Sequence, residues 1–309
     1  MSTHLKAVKI GGTDEASSVR SRPKTLKNLR LDEGRFVIQQ LREGEPGAPQ
    51  VVCFPFVGGG PLGFKAFSEQ LPKEWSVWAV DFPGHVRTQG EALTTVEELV
   101  AECLRLMPME LLTGSYFLGT SLGGYVAHAL AAELERQGHT VPGVIIAGAT
   151  PVSIRTLSTP LSSLDDEACF KWMMCGGQDS RPHPSDTRRV LFDVFKTAIR
   201  ADLEAYDSYS PTNRIQAPVL VIGGTEDPLC TPEEFAAWGE HTFDPEIEIV
   251  QGGHFFINAN PKKVARCMTK FIERLSMAAS GEVRVVSDVS AIREVGNVVP
   301  APVKIFKIA

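Results

Sequence analysis

No apolar run in this sequence is long enough to cross a bilayer. The opening residues, Met1-Ser2-Thr3-His4-Leu5-Lys6, lack the apolar stretch of a secretory signal. Six cysteines (Cys53, Cys103, Cys169, Cys175, Cys230, Cys267) are scattered without CxxC or Cys/His metal spacing. That pattern excludes a disulfide framework, points to no metal site, and suits buried free thiols in the cytosol. There is no excess of positive charge: the formal net charge of −6 argues against nucleic acid or an anionic membrane as the main partner. Repeats and low-complexity tracts are also missing.

What is present is an ordinary globular composition, 43% hydrophobic and 22% charged, over 309 residues. That length suits one large α/β domain or two small ones. Residues 1–34 carry a basic excess and read as a flexible leader. From residue 35 to about 280, strand-like and helix-like segments alternate. Arg35–Leu41, Gln50–Phe56, Ser76–Asp81, Gly114–Gly119, Pro142–Gly148, Ala217–Gly223 and Glu246–Val250 read as strands. Helices are expected over Thr94–Met107 (Thr94 as N-cap, Glu97 three residues on), Gly123–Gln137, Pro232–His241 and Pro261–Met277. Apolar strands alternating with helices predict a mainly parallel central sheet flanked by helices. Residues 151–211 are too long for a simple crossover and mainly helical in pattern, as in Thr187–Tyr206, so an inserted helical lid is expected. In residues 281–309, Glu282–Val286 and Val303–Ile308 are strand-like and predict either a hairpin on the domain or a loose tail.

Gly119-Thr120-Ser121-Leu122-Gly123 is a GxSxG motif placed between the strand Tyr116-Phe117-Leu118 and a helix. That is the setting of a nucleophile elbow, and it makes Ser121 the candidate nucleophile of an α/β-hydrolase fold. A serine hydroxyl needs a base, and the base needs an orienting acid. In this fold their order along the chain is Ser, acid, His. Asp227 lies in the loop after the strand Val219–Ile222; Glu226 competes, with Asp227 preferred beside Pro228. His254 follows the paired glycines Gly252-Gly253 at the end of a strand. His4, His85, His128, His139, His183 and His241 fit the role less well. The oxyanion donors are expected at the backbone N–H of Leu122 and in the loop Phe54-Pro55-Phe56-Val57-Gly58-Gly59-Gly60, at Val57 with Phe56 as the alternative. Taken alone, Gly58-Gly59-Gly60-Pro61-Leu62-Gly63 with Asp81 downstream also matches a dinucleotide-binding fingerprint. That reading leaves the ordered Ser/Asp/His set unexplained.

These residues resemble the type II (external, editing) thioesterases of polyketide and nonribosomal peptide synthesis. The likeness runs from about Val51 to Leu275. It is carried by Cys53–Gly59, Asp81-Phe82-Pro83-Gly84-His85, the elbow through Gly124, Ala201-Asp202-Leu203-Glu204-Ala205-Tyr206 in the lid, Gly224–Pro228, Trp238 and Gly252–Phe256. The resemblance implies hydrolysis of acyl or peptidyl thioesters held on the phosphopantetheine arm of a partner carrier protein; together with the readings above, the expectation is a cytoplasmic monomer with no cofactor, metal, nucleic acid or membrane of its own. It implies triad roles for Ser121, Asp227 and His254 and oxyanion donors at Val57 and Leu122. The chain departs from the family pattern at Val57, where Ala is usual, and at His85-Val86-Arg87, where the family continues with arginines. It also carries terminal extensions, which leave product release or acyl transfer open beside editing. The other readings are a carboxylesterase or acyltransferase on small esters, and a non-catalytic partner of a synthase.

Overall fold

The central strands, Gln50–Phe54, Ser115–Thr120, Val144–Ala147 and Val219–Gly224, are buried at nearly every position because both faces of the sheet are covered. In a computed structural model of the protein, residues 28–85, 87–155, 160–176, 185–211, 213–280 and 305–307 are described. The first half runs through strands β1 (Asn28–Leu31), β2 (Phe36–Arg42) and β3 (Gln50–Phe54), then helix α1 (Lys65–Ser68) and strand β4 (Ser76–Asp81). Helices α2 (Val96–Leu106) and α3 (Met109–Gly114) lead to β5 (Ser115–Thr120), α4 (Leu122–Arg136) and β6 (Val144–Ala147). Helices α5 (Asp166–Gly176) and α6 (Ser185–Ser208) follow, then β7 (Val219–Gly224) and β8 (Glu246–Val250). The helices α7 (Phe256–Ala259) and α8 (Pro261–Ser280) precede the last described strand, β9 (Ile305–Lys307).

The strands form one sheet in the order β1-β2-β4-β3-β5-β6-β7-β8-β9. Pairing is parallel from β4 through β3 to β9, and β1 and β2 join antiparallel at one edge. This is the α/β-hydrolase fold expected from the alternation of segments.

The period of two along each strand divides the core into two layers. Val52, Phe54, Phe117, Val144 and Ile146 face one layer, filled by Leu99, Tyr125, Leu130 and Trp238. Their neighbours Val51, Cys53, Leu118, Ile145 and Ala147 face the other, filled by Phe67, Met268, Phe271 and Ile272. Helix α8 buries one stripe there (Val264, Ala265, Met268, Phe271, Ile272) and turns its charged residues outward, as the 3.6-residue period requires.

Four expectations are corrected. Among the described residues the sheet already includes residues before 35: Asn28–Leu31 pairs with Phe36–Gln39, so the last part of the expected leader extends the sheet. Residues 1–27 lie outside the described residues. The N-cap of α2 is Thr95, not Thr94. Its Oγ1 accepts from the Glu98 N–H at 3.1 Å, and Glu98 Oε2 accepts from the Thr95 N–H at 3.2 Å, a reciprocal capping box one residue later than the pattern suggested. Two threonines each followed three residues on by a glutamate make the two registers equivalent on paper. At the C-terminal end, Ile305–Lys307 pairs in parallel with Ile247–Ile249, so this piece is a strand at the edge of the sheet and not a loose tail; Glu282–Val286, the other half of the expected hairpin, lies outside the described residues. The segment expected as a helix at Pro232–His241 is a 3-10 helix over Glu234–Glu240.

Helices α5 and α6 are inserted between β6 and β7 and reach over the C-terminal ends of the strands. Asp166 on α5 receives Arg200 at 2.7 Å and Lys196 at 3.3 Å from α6, which ties the two helices together. Phe170 and Phe192 meet edge to face at 5.5 Å between them.

Candidate active site

Parallel β3 and β5 are neighbours, with Phe54 opposite Gly119, so the loops leaving their C-terminal ends lie side by side. The chain winds outward from this pair in both directions, which places the loops at the switch point where α/β sheets bind ligands. Residues 55–60 and the elbow at Ser121 are therefore adjacent. Likewise Gly224 pairs with Val250, which brings the loops carrying Asp227 and His254 together from the ends of β7 and β8.

Ser121 sits between β5 and α4 with φ 51° and ψ −118°, a left-handed conformation that costs a non-glycine residue energy. Its N–H donates to the Ala147 carbonyl at 2.9 Å, which holds the strained turn in place. The flanking glycines are required by close approach. A Cβ on Gly119 would come within 2.0 Å of the Gly123 carbonyl oxygen, and one on Gly123 within 2.1 Å of that of Phe54.

Asp227 Oδ2 accepts from His254 Nδ1 at 2.9 Å, and Asp227 Oδ1 accepts from the Leu229 N–H at 2.9 Å. The Asp227 side chain is fully buried and that of His254 is 7% exposed. A carboxylate bound to Nδ1 selects the tautomer that leaves Nε2 free as a base. Glu226, the competing acid, is exposed, and its N–H is taken by the Gly252 carbonyl at 2.9 Å. His254 and Ser121 line the same cavity without a direct hydrogen bond. Such contacts commonly shorten only when substrate is bound.

That cavity is narrow and has apolar walls: Phe56 and Val57 from the β3 loop, Trp172 and Met173 from α5, and Leu229 and Phe255. Trp172 and Met173 thus face the nucleophile, whereas Phe170 is used in contact with Phe192. Phe255 packs on Phe56 at 5.0 Å and on His254 at 5.3 Å, so the base is held between an aromatic wall and its carboxylate. Leu122 opens α4, so its N–H has no partner within the helix and points toward the cavity end of the helix axis. Among the described residues no hydrogen bond occupies the N–H of Val57 or Phe56, so both remain available as oxyanion donors.

Two residues given no role from sequence stand out beside this site. His85 Nε2 lies 3.0 Å from Asp202 Oδ2, both side chains 3% exposed, and the same Oδ2 accepts the Gly58 N–H at 2.7 Å. His85 Nδ1 faces the Pro83 carbonyl at 3.2 Å. Both ring nitrogens meet acceptors, so the doubly protonated imidazolium satisfies the site. Burial alone would lower the His85 pKa; the charge and hydrogen bond of Asp202, the Pro83 carbonyl and the charge of Asp81 outweigh it and raise it to about 9. Asp81 is pushed up to about 6 by burial, against the pull of His85 and Arg87. The available signals were the departure from the family pattern at His85 and the lid motif containing Asp202. Neither reveals that residues 117 apart touch.

The remaining described histidines are used elsewhere or lie apart. His128 is buried between the Tyr209 hydroxyl at 2.6 Å and the His241 carbonyl at 2.9 Å, and burial lowers its pKa to about 4. The glycine-rich loop does not open a dinucleotide site. It leads into a short 3-10 turn and the four-residue α1, and Asp81 is turned inward beside His85.

A parallel sheet, a strained serine between strand and helix, and a buried acid–histidine pair define a serine hydrolase of the α/β-hydrolase fold. The thioesterase domain family matches residues 49–272. The chain is 30% identical over 241 residues to thioesterase PikA5 of Streptomyces venezuelae, covering 76% of this chain and 84% of that one. It is 26% identical over 227 residues to the probable cadicidin biosynthesis thioesterase of Streptomyces griseus, covering 71% of this chain and 61% of the relative. Among solved structures, the type II thioesterase BorB from the borrelidin biosynthetic cluster superposes with a TM-score of 0.68 at 24% identity. That likeness, one of fold, covers 76% of this chain and 97% of the other. The chain belongs to the thioesterase family. Among the described residues no helix is long and apolar enough to cross a membrane.

Proposed function

We propose that this thioesterase hydrolyses acyl or peptidyl thioesters carried on the phosphopantetheine arm of a carrier protein, in the service of polyketide or nonribosomal peptide synthesis. The observation that carries the reading is the strained Ser121 set in an apolar cavity with a buried Asp227–His254 pair, beneath Trp172 and Met173 of lid helix α5. The biosynthetic setting is taken from similar proteins, which are named for cadicidin biosynthesis and for the borrelidin biosynthetic cluster.

In this mechanism His254 Nε2 takes the Ser121 proton as Oγ attacks the thioester carbonyl. The tetrahedral oxyanion rests on the N–H groups of Leu122 and Val57, each such donor being worth about 3 kcal/mol. The C–S bond breaks, the thiol leaves with the proton held on His254, and an acyl-serine remains. Water, deprotonated by His254, attacks the ester, and collapse of the second tetrahedral intermediate returns the proton to Ser121 Oγ and releases the carboxylic acid. Asp227 holds the imidazole orientation and stabilises its cation. A thiol is a better leaving group than an amine, so acylation asks less of the general acid. The chemistry as written uses side chains, backbone and water only.

The test is hydrolysis of an acyl group loaded on a phosphopantetheinylated carrier protein, by the wild type and by Ser121→Ala. Release by the wild type and a loss of at least about 10³-fold in the variant are expected. Equal rates in the two would overturn the mechanism. Preference of the wild type for small free esters over the carrier-bound thioester would overturn the substrate class.

A further inference from the structure

The loop that offers the second oxyanion donor is held by a charged contact from the lid, not only by its own strand. Gly58 follows Val57 directly and adopts φ +68°. On one side it is covered by α6: a Cβ placed on Gly58 would lie 2.8 Å from Ile199 Cγ1. One helical turn further along the same face of α6, Asp202 Oδ2 accepts the Gly58 N–H at 2.7 Å. That peptide plane includes the Val57 carbonyl, so fixing the Gly58 N–H fixes ψ of Val57 and, through it, the direction in which the loop presents Val57 to the cavity. The carboxylate is itself pinned by His85, whose Nε2 meets the same oxygen at 3.0 Å. His85 is in turn held by its N–H to Thr88 Oγ1 at 2.9 Å and its Nδ1 to the Pro83 carbonyl. A carboxylate this deeply buried is tolerated only when paired, and the pair is aimed at a backbone donor beside the nucleophile.

We propose that Asp202, braced by His85, is a positioning residue for hydrolysis: it couples lid helix α6 to the oxyanion loop by fixing the Gly58 N–H. The proposal rests on the acyl-enzyme reading above and adds a residue that touches no reacting atom. Oxyanion donors act only when preorganised, so a loop freed to rotate loses transition-state stabilisation while ground-state binding of the acyl chain, made by Trp172, Met173 and Phe255, is retained.

The experiment compares wild type, Asp202→Asn and Asp202→Ala on an acyl-pantetheine thioester and on a p-nitrophenyl ester, with kcat counted per active site titrated by a fluorophosphonate. Asn retains an oxygen that accepts the Gly58 N–H; Ala removes the acceptor. The expected result is a kcat loss of 10- to 100-fold for Asp202→Ala with KM within about twofold, and at most a fivefold loss for Asp202→Asn, following the order of preorganised-donor effects. A trifluoromethyl ketone, which mimics the oxyanion, loses affinity in parallel with kcat/KM, while the product acid does not. A purely structural anchor would lower melting temperature and active-site titre but leave kcat per titrated site unchanged in Asp202→Ala, and that result would overturn the proposal. Hydrolysis of the ester but not the thioester by wild type would overturn the functional reading alone, because the positioning comparison is then read on the ester. Inertness of wild type toward both would overturn the two together.

Discussion

The His85–Asp202 pair makes a prediction about alkaline stability whose sign and size follow from its surroundings. In the folded chain His85 has its pKa raised to about 9, from a value near 6.5 when unfolded. Below about pH 6.5 both states carry the proton and the native preference for it contributes fully. Above that the unfolded state gives up its proton first, and the contribution fades until the folded state titrates near pH 9. At roughly 1.4 kcal/mol per pH unit the interval corresponds to about 3 kcal/mol. The pair is almost wholly shielded from water, so solvent screening removes little of this. The assay is urea denaturation followed by tryptophan fluorescence between pH 6.5 and 9.5, for wild type and His85→Gln. The glutamine amide can still donate toward Asp202 but does not titrate. Wild type is expected to lose about 3 kcal/mol across the range relative to the variant, or roughly 6–12 °C in Tm for a domain of this size. The groups facing His85 are Asp202 on α6, Asp81 at the end of β4, and Arg87 acting on Asp81. Asp81 also loses stabilisation as pH rises, but from its ordinary value up to about 6, so it does not contaminate the window. Parallel pH profiles for wild type and variant would refute the charged reading of His85.

Two further predictions concern the cavity and its base. Asp227→Asn keeps the shape of the loop but no longer selects the productive tautomer of His254, so kcat should fall roughly 10³- to 10⁴-fold with far-ultraviolet circular dichroism unchanged; a loss under tenfold would remove Asp227 from the catalytic set. Trp172→Ala removes the indole that closes the cavity above Ser121, so kcat/KM for an octanoyl thioester relative to an acetyl one should rise on the order of tenfold or more. An unchanged ratio would show that Trp172 does not bound the acyl chain.

Much of this was legible along the chain because the information is local. Strand and helix periods are set by which face each residue must bury, so β4 and β8 were read to the residue. The elbow is a short-range constraint: glycine, serine and glycine at fixed spacing are demanded by backbone approaches of about 2 Å that lie within a few residues of the turn or on the next strand. The chain order of Ser121, Asp227 and His254 narrowed the acid and base to single loops. Within those loops sequence stopped short. Asp227 and Glu226 differ by one position, and only the path of the loop buries the one against His254 and leaves the other in solvent.

Sequence by itself thus determined the parallel sheet, the elbow, the order of the triad residues and the family. Tertiary structure alone decided which lid side chains face Ser121, that Asn28–Leu31 joins the sheet, and what His85 and Asp202 do. The physical reason is range. Periodicity and turn chemistry act over a few residues, whereas a buried charge is permitted only by a partner whose distance along the chain is arbitrary. His85 looked like a histidine without a role until α6 folded back across the sheet and set Asp202 against it and against the Gly58 N–H.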